Sequence, residues 1–241
     1  MTEIIKKIIS DIDENKINNE KEYFIFHRYR FEYIFSLLQK YDKSKSLLDI
    51  GAHYLYGLLG AYHLGFKNIF GIDLSVFNLI SSDRAKKINA IIKNCDLERE
   101  NIPFPDQSFD LVLLAETLEH FNFHPKKVFT EIARILKPEG ELIITTPNLL
   151  RLNNRLKCVL GKSINHDIEE NYTFGTHYRE YSAVEIEYLL NLAGLKKIKL
   201  KYVDFNYPDR SKVEILINKI IGTLLPSLKS NIIMVGKKNN K

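Results

Sequence analysis

The amino-acid sequence predicts an open, doubly wound α/β sheet, and three observations carry that expectation. From Ser46 onward, short apolar runs alternate with segments of helical spacing. The runs are continuous in their apolar residues, as in strands covered on both faces. With 241 residues, 45% of them hydrophobic, the chain can bury a central sheet under two helix layers.

The elements follow in order. Residues 3–17 and 21–41 read as helices, the second carrying Phe24, Tyr29, Phe31, Ile34, Leu37 and Leu38 at roughly helical spacing. Such a stripe packs a core; the alternative is a helical lid over a pocket, lined in part by His27 or Tyr29. SLLDIG (46–51) reads as a first strand, and a helix follows through Tyr56 to Leu64. NIFGID (68–73), INAIIKNCD (88–96), FDLVLLAE (109–116) and GELIITTP (140–147) read as four more strands. Helices fall between them, including HPKKVFTEIARILK (124–137). Helices near 149–160 and 183–193, a polar loop near 161–181, and strands near 196–204 and 230–236 complete the pattern. The last two strands pair around an amphipathic helix at 211–225. Two units result: a helical appendage over 1–44 and one sheet domain over 45–241.

Composition narrows the function classes. The formal net charge is +5, but no tract of five or six basic residues occurs, so dedicated nucleic-acid binding is not signalled. Cys95 and Cys158 form neither metal spacing nor a disulfide framework, which fits a reduced, cytoplasmic compartment. MTEIIKKIISDIDENK lacks the apolar run of a signal peptide, and no stretch reaches the ~20 apolar residues of a membrane span. The 211–225 segment puts Val213, Leu216, Ile217, Ile220, Ile221 and Leu224 on one face; it packs on the sheet, forms a dimer contact, or touches a membrane surface.

In a doubly wound sheet, ligands bind beyond the carboxyl ends of the strands. The first strand end offers Asp49 and Gly51, the glycine permitting a tight turn and close ligand approach. The second ends in Asp73, where a carboxylate can accept from both ribose hydroxyls. The third ends in Asp96 and Leu97, placed for an adenine amino group and ring. The fourth ends in Ala115-Glu116. Each Asp alone reads equally well as a helix N-cap; four acids after four successive strands do not.

LLDIGA, GIDLS, CDLERENIPFPDQSFDLVLLAETLEHF and ARILKPEGELIITTPN closely resemble the class I S-adenosylmethionine-dependent methyltransferases. The resemblance covers roughly residues 45–200 and is nearest to members with a methyltransferase domain 11 or 12 core. It implies a Rossmann-like, seven-stranded sheet, mostly parallel with an antiparallel last strand. It also implies contacts to S-adenosyl-L-methionine from Asp49, Gly51, Asp73, Leu74, Asp96, Leu97 and Glu116. The chain departs from the D-x-G-x-G-x-G pattern, with His53 and Leu55 at the second and third glycine positions. Either the loop takes another path or His53 itself contacts the methionine carboxylate; a non-catalytic binding protein of the same fold is the reading this departure leaves open. A dinucleotide oxidoreductase is disfavoured because G-x-G-x-x-G is absent.

ETLEH brings Glu116, Glu119 and His120 within about one helical turn, and His177 follows the fifth strand in GTHYREYS. Two carboxylates and two imidazoles suit a divalent cation. The set is similar to the metal site of small-RNA 2′-hydroxyl methyltransferases, although E-x-x-E-H also occurs in methyltransferases that need no metal. Without an ion, His120 or His177 is the candidate base for a hydroxyl acceptor. Arg151, Arg155, Arg179 and Tyr181 offer contacts to phosphate or sugar hydroxyls. TTPNLLRLNNRL with the later HYREYS resembles methyltransferases of polysaccharide and glycolipid synthesis. The acceptor expected from that resemblance is a small molecule or a glycan-linked hydroxyl.

Overall fold

The computed structural model describes residues 2–15, 19–74, 78–164, 177–205 and 222–240. The parallel strands β1 (Ser46–Ile50), β2 (Asn68–Asp73), β3 (Ile91–Asn94), β4 (Phe109–Ala115) and β5 (Leu136–Pro147) are joined by β6 (Leu195–Val203) and β7 (Asn231–Lys238). The seven lie in the order β3-β2-β1-β4-β5-β7-β6, with β7 antiparallel to both neighbours. The order reverses direction at β1, which places a crevice at the carboxyl ends of β1 and β4.

Successive residues on each strand feed opposite faces, as the two-residue period requires. Leu47, Leu111, Leu113, Ile143 and Ile233 face one apolar layer, and Leu48, Val112, Leu114, Leu142 and Ile232 the other. The first layer is covered by α1 (Thr2–Asn15), α2 (Glu20–Leu38), α3 (Tyr56–His63) and α4 (Asn78–Lys87). Ile8 and Ile12, Phe24 and Phe35, and Leu58 and Leu59 reach into it. The second is covered by α5 (Lys126–Ile135) and α7 (Ala183–Leu192), through Phe129, Ile132, Ile186 and Leu190. A further helix, α6 (Leu152–Val159), follows β5. A capping box starts α7: Ser182 Oγ accepts from the Glu185 N–H, and the Glu185 carboxylate accepts from the Ser182 N–H.

Two strands differ from expectation. β3 keeps only four of the nine residues expected for it. It pairs with β2 alone, and the ladder runs only from Phe70↔Ile91 to Asp73↔Asn94. β5 begins at Leu136, because Phe109 pairs with Leu136 before the register shifts to Leu111↔Glu141. The amphipathic helix expected at 211–225 lies, apart from its last turn, outside the described residues, as does most of the 161–181 loop. Among the described residues no helix is long and apolar enough to cross a membrane.

Candidate active site

Four acidic residues stand at the carboxyl ends of four adjacent strands: Asp49 on β1, Asp73 on β2, Asp96 after β3 and Glu116 after β4. Between β1 and β4 the chain is held by Thr117, whose hydroxyl lies 3.1 Å from both the Ile50 and Ala115 carbonyls. Gly51 turns there with φ +75°, and a Cβ on it would lie 2.4 Å from Thr117 Oγ1. That hydroxyl cannot swing away without leaving the strand ends, and L side chains disfavour this φ. Gly51→Ala is therefore expected to cost about 2 kcal/mol of folding stability. An unchanged urea midpoint would contradict this.

The loop that follows keeps a path suited to glycines without having them. His53 has φ +41° and Leu55 φ +64°, both in the left-handed region, at a cost on the order of 1 kcal/mol or more each. The Asp73 carboxylate anchors the loop, accepting from the His53 N–H at 2.5 Å and from the Leu74 N–H at 2.7 Å. The His53 ring packs on Tyr54 at 3.8 Å between centroids, and Tyr23 of α2 sits edge-on to His53 at 6.3 Å. The His53 side chain, in place of glycine, thus joins this loop to α2.

A cavity of about 550 Å³ opens over the β1 and β4 ends, a volume in the range of small-ligand sites. Its floor includes Asp49, Gly51 and Gly57, its loop wall His53 and Tyr54, and its far wall Glu116, Glu119, His120 and His177. The second helix closes it with Tyr23, His27, Arg30, Phe31 and Ile34, a face that adjoins the one packing the core and shares Phe31 and Ile34 with it. The lid alternative therefore holds for His27, whereas Tyr29 turns to the core and bonds Arg28. Tyr23, Arg30 and Ile34 were not singled out as site residues. His27, Arg30 and Ile34 follow Tyr23 by four, seven and eleven positions, which is one helical face, and a cation inside an apolar stripe is the available signal.

Of the expected donor residues, Asp49, Gly51, His53 and Glu116 line the cavity, whereas Asp73, Leu74, Asp96 and Leu97 are not among its lining residues. The Asp96 carboxylate accepts from the Glu98 N–H at 3.0 Å and pairs with Arg99 at 3.0 Å, much as a local cap would. His120 and His177 come together, with ring centroids 4.9 Å apart. The Glu119 carbonyl achieves this by accepting from the Tyr178 and Arg179 N–H groups. Among the arginines, Arg151 reaches the cavity and pairs with Glu180; Arg179 pairs with Glu185 at 2.6 Å, and Arg155 bonds the Leu150 carbonyl. Tyr181 is buried in the core.

Burial dominates the electrostatics. It pushes the Asp49 carboxyl up to about 8, with the neighbouring Asp73 charge adding to it. Burial, then the Glu116 charge, holds Glu119 well above the usual carboxylate range. His27 is pushed down to about 3 and His53 to about 4, by burial first and the Arg30 charge second, so both rings are neutral near pH 7. Burial opposes ionisation of Glu180. The approach of His177 Nδ1 at 3.9 Å, hydrogen bonds from Arg151 and Asn154, and the Arg151 charge outweigh it and bring the carboxyl to about 2.

The pocket also fits a zwitterionic, adenosine-bearing donor. Glu116 Oε1 is buried without a hydrogen-bond partner among the described residues, an acceptor that a cationic group of such a donor would meet. Glu119, His120 and His177 present ligand atoms within 4.8 Å of one another, a group suited to a cation.

Residues 48–144 match the family described as "Methyltransferase domain". The uncharacterized protein MJ0638 of Methanocaldococcus jannaschii is 36% identical over 120 residues, 49% of this chain and 48% of that protein. The glycine/sarcosine/dimethylglycine N-methyltransferase of Actinopolyspora halophila is 28% identical over 109 residues, 42% of this chain and 18% of that protein. The chain therefore spans about half of the first relative and less than a fifth of the second. A solved structure, a complex of the Haloferax volcanii Trm112 methyltransferase activator and a methyltransferase, superposes with a TM-score of 0.68 at 16% identity. That match covers 94% of this chain and 96% of the other. A SAM-dependent methyltransferase from Thermotoga maritima gives 0.62 at 19% identity, over 99% and 100%. At such identities the structures speak for the fold. Residues 48–144 thus match a methyltransferase domain and lie within a seven-stranded Rossmann-like sheet.

Proposed function

We propose that the chain transfers the methyl group of S-adenosylmethionine to a hydroxyl of a small or glycan-linked acceptor. The observation that carries this reading is the pair of imidazoles, His120 and His177, facing one cavity 4.9 Å apart beside the strand-four end. In this reading Asp49, Gly51, His53, Asp73, Leu74, Asp96, Leu97 and Glu116 contact the donor along the strand ends. The sulfonium of the donor supplies an activated methyl group. The acceptor oxygen forms the new O–C bond as the S–C bond breaks, the electron pair stays on sulfur, and an imidazole nitrogen takes the hydroxyl proton. Arg151, Glu180, Ser230 and Asn231 give the acceptor wall hydrogen-bonding groups suited to several hydroxyls. Positioning of the two substrates supplies much of the remaining acceleration.

A second reading, metal-dependent methylation of an RNA 2′-hydroxyl, is favoured by the Glu119, His120 and His177 group. In it, Glu119 gives up its proton to bind the ion. Label transfer from methyl-labelled donor to saccharide and RNA acceptors separates the two. His120→Ala or His177→Ala is expected to lower kcat on a saccharide by about 10²-fold, the lower edge of general-base effects, with chelators having no effect. Loss of activity on chelation, with RNA as the acceptor, favours the ion. Donor binding without transfer to any hydroxyl acceptor would overturn both.

A further inference from the structure

Helix α6 carries its apolar residues outward. Its one buried residue is Asn154, whose carboxamide donates to the Leu149 carbonyl at 2.8 Å and to the Glu180 carboxylate at 2.9 Å. Leu152, Leu156, Val159 and Leu160 follow one another at helical spacing, and the last three face solvent, Val159 83% and Leu160 69% exposed. A surface helix ordinarily turns such a stripe to the core. Arg155 and Lys157 flank Leu156 on either side, Lys162 follows the helix, and no acidic residue occurs from 148 to 164. A second exposed apolar turn is tied to this one. Leu224 is 78% and Leu225 56% exposed, just before the tight turn Pro226–Leu228, and residues 222–241 hold lysines but no acid. The Asn148 carboxamide donates to the Ser227 and Lys229 carbonyls, both at 2.8 Å, while its Oδ1 accepts from the Leu150 N–H at 3.0 Å. Both segments leave the same wall of the cavity, where Pro147, Arg151, Ser230 and Asn231 stand.

We propose that α6, together with the 222–229 turn, seats the chain on the surface of a bilayer that carries anionic lipids. Charge complementarity selects that occupant. An aliphatic stripe with cations on both flanks matches a layer whose hydrocarbon lies beneath negative headgroups: the leucines enter the acyl boundary, and Arg155, Lys157 and Lys162 meet the phosphates. Protein contacts favour aromatic residues and disfavour lysine, whereas the exposed apolar groups here are all aliphatic and two of the three cations are lysines. The other exposed stripe, Val184, Tyr188 and Leu192 on α7, has Glu185 and Glu187 beside it and lacks this match. The consequence for the acceptor rests on the reading above, in which the wall with Arg151, Ser230 and Asn231 takes the acceptor. An acceptor anchored in lipid would then meet that wall without leaving the bilayer. The surface itself does not depend on that reading.

Flotation of the full chain with vesicles of phosphatidylcholine, alone or mixed with phosphatidylserine, tests the surface without donor or acceptor. Wild type is expected to bind the mixed vesicles about 10-fold or more tightly than the neutral ones, and added salt should weaken that binding. The triple variant Leu156→Gln, Val159→Gln, Leu160→Gln is expected to bind roughly 10- to 100-fold more weakly, with an unchanged urea midpoint because the three side chains are exposed. Lys157→Gln with Lys162→Gln should lose most of the preference for phosphatidylserine, and Val184→Gln with Tyr188→Gln on α7 should bind as wild type does. Wild type that ignores both kinds of vesicle, or a triple variant that binds as well as wild type, overturns the proposal. A triple variant with a lowered urea midpoint overturns it too, because the chain itself then covers the stripe. So does a wild-type dimer, seen by light scattering, that the same substitutions dissociate, since the face is then a contact between copies. All of these results leave the donor and acceptor readings intact, and failure of methyl transfer with vesicle binding preserved removes the acceptor reading alone.

Discussion

Arg84→Met is expected to cost about 3–5 kcal/mol of folding stability, the scale of leaving a buried charge unpaired. Arg84 of α4 is 1% exposed and its partner Glu20, in the first turn of α2, is wholly buried. The guanidinium forks onto the carboxylate, Nη1 to Oε1 at 2.7 Å and Nη2 to Oε2 at 3.1 Å, and Nη1 also donates to the Tyr54 carbonyl at 2.6 Å. The Tyr56 hydroxyl donates to the Glu20 carbonyl at 3.3 Å. One guanidinium therefore ties the start of the lid helix to the loop beneath it. The double variant Arg84→Met with Glu20→Gln is expected to recover part of the loss, because it removes both charges together. Donor affinity should fall with Arg84→Met even where the protein stays folded, since the lid and the loop lose their common anchor. Urea unfolding of both variants decides it: a single variant costing under about 1 kcal/mol, or a double variant no better than the single, refutes the account.

That tie shows where reading the sequence stops. Strands buried on both faces announce themselves by continuous apolar runs, so β1, β2 and β4 fall close to where periodicity puts them. Asp49, Gly51 and Glu116 are legible for a related reason, as each sits at the end of such a run and topology sends run ends to the crevice. Contacts between distant segments carry no such signal. Glu20 and Arg84 are 64 positions apart, and each alone resembles ordinary helix-surface charge. Arg30 was hidden differently. The aromatic residues around it have the spacing of a core helix, and a core helix is what most of them make, while a neighbouring face of the same helix closes the cavity. His53 and Leu55 marked a departure in the sequence without telling its consequence. The consequence is conformational, since both residues adopt the left-handed backbone that glycine would have adopted. The edge strand β3 was overestimated because an apolar run does not reveal how few residues find a ladder partner.

Asp49→Asn is expected to flatten the pH dependence of stability between about pH 4 and pH 8. Asp49 is 5% exposed at the end of β1, and α3 lies so close that a Cβ on Gly57 would stand 2.3 Å from its Oδ2. Burial raises its carboxyl from an ordinary 3.8 to about 8, and the charge of Asp73 on the adjoining strand raises it further in the same sense. The folded chain therefore holds this proton over a range where the unfolded chain has released it. More protons bound in the folded state means that stability falls as pH rises. The contribution is fully present below about pH 4, is lost progressively up to about pH 8, and changes no further once both states are ionised. Over that span the loss is on the order of a few kcal/mol. Glu119, also raised by burial and by the charge of Glu116, adds a loss of the same sign. Asparagine is close in shape to the protonated acid and cannot ionise, so the variant should keep the cavity floor while removing the Asp49 share of the slope. Denaturant midpoints of wild type and variant should converge near pH 4 and separate as pH rises, with the variant the more stable at pH 8. Two parallel profiles would mean that Asp49 ionises in the folded protein much as it does in the unfolded chain, and the electrostatic account of the cavity floor would fall with that result.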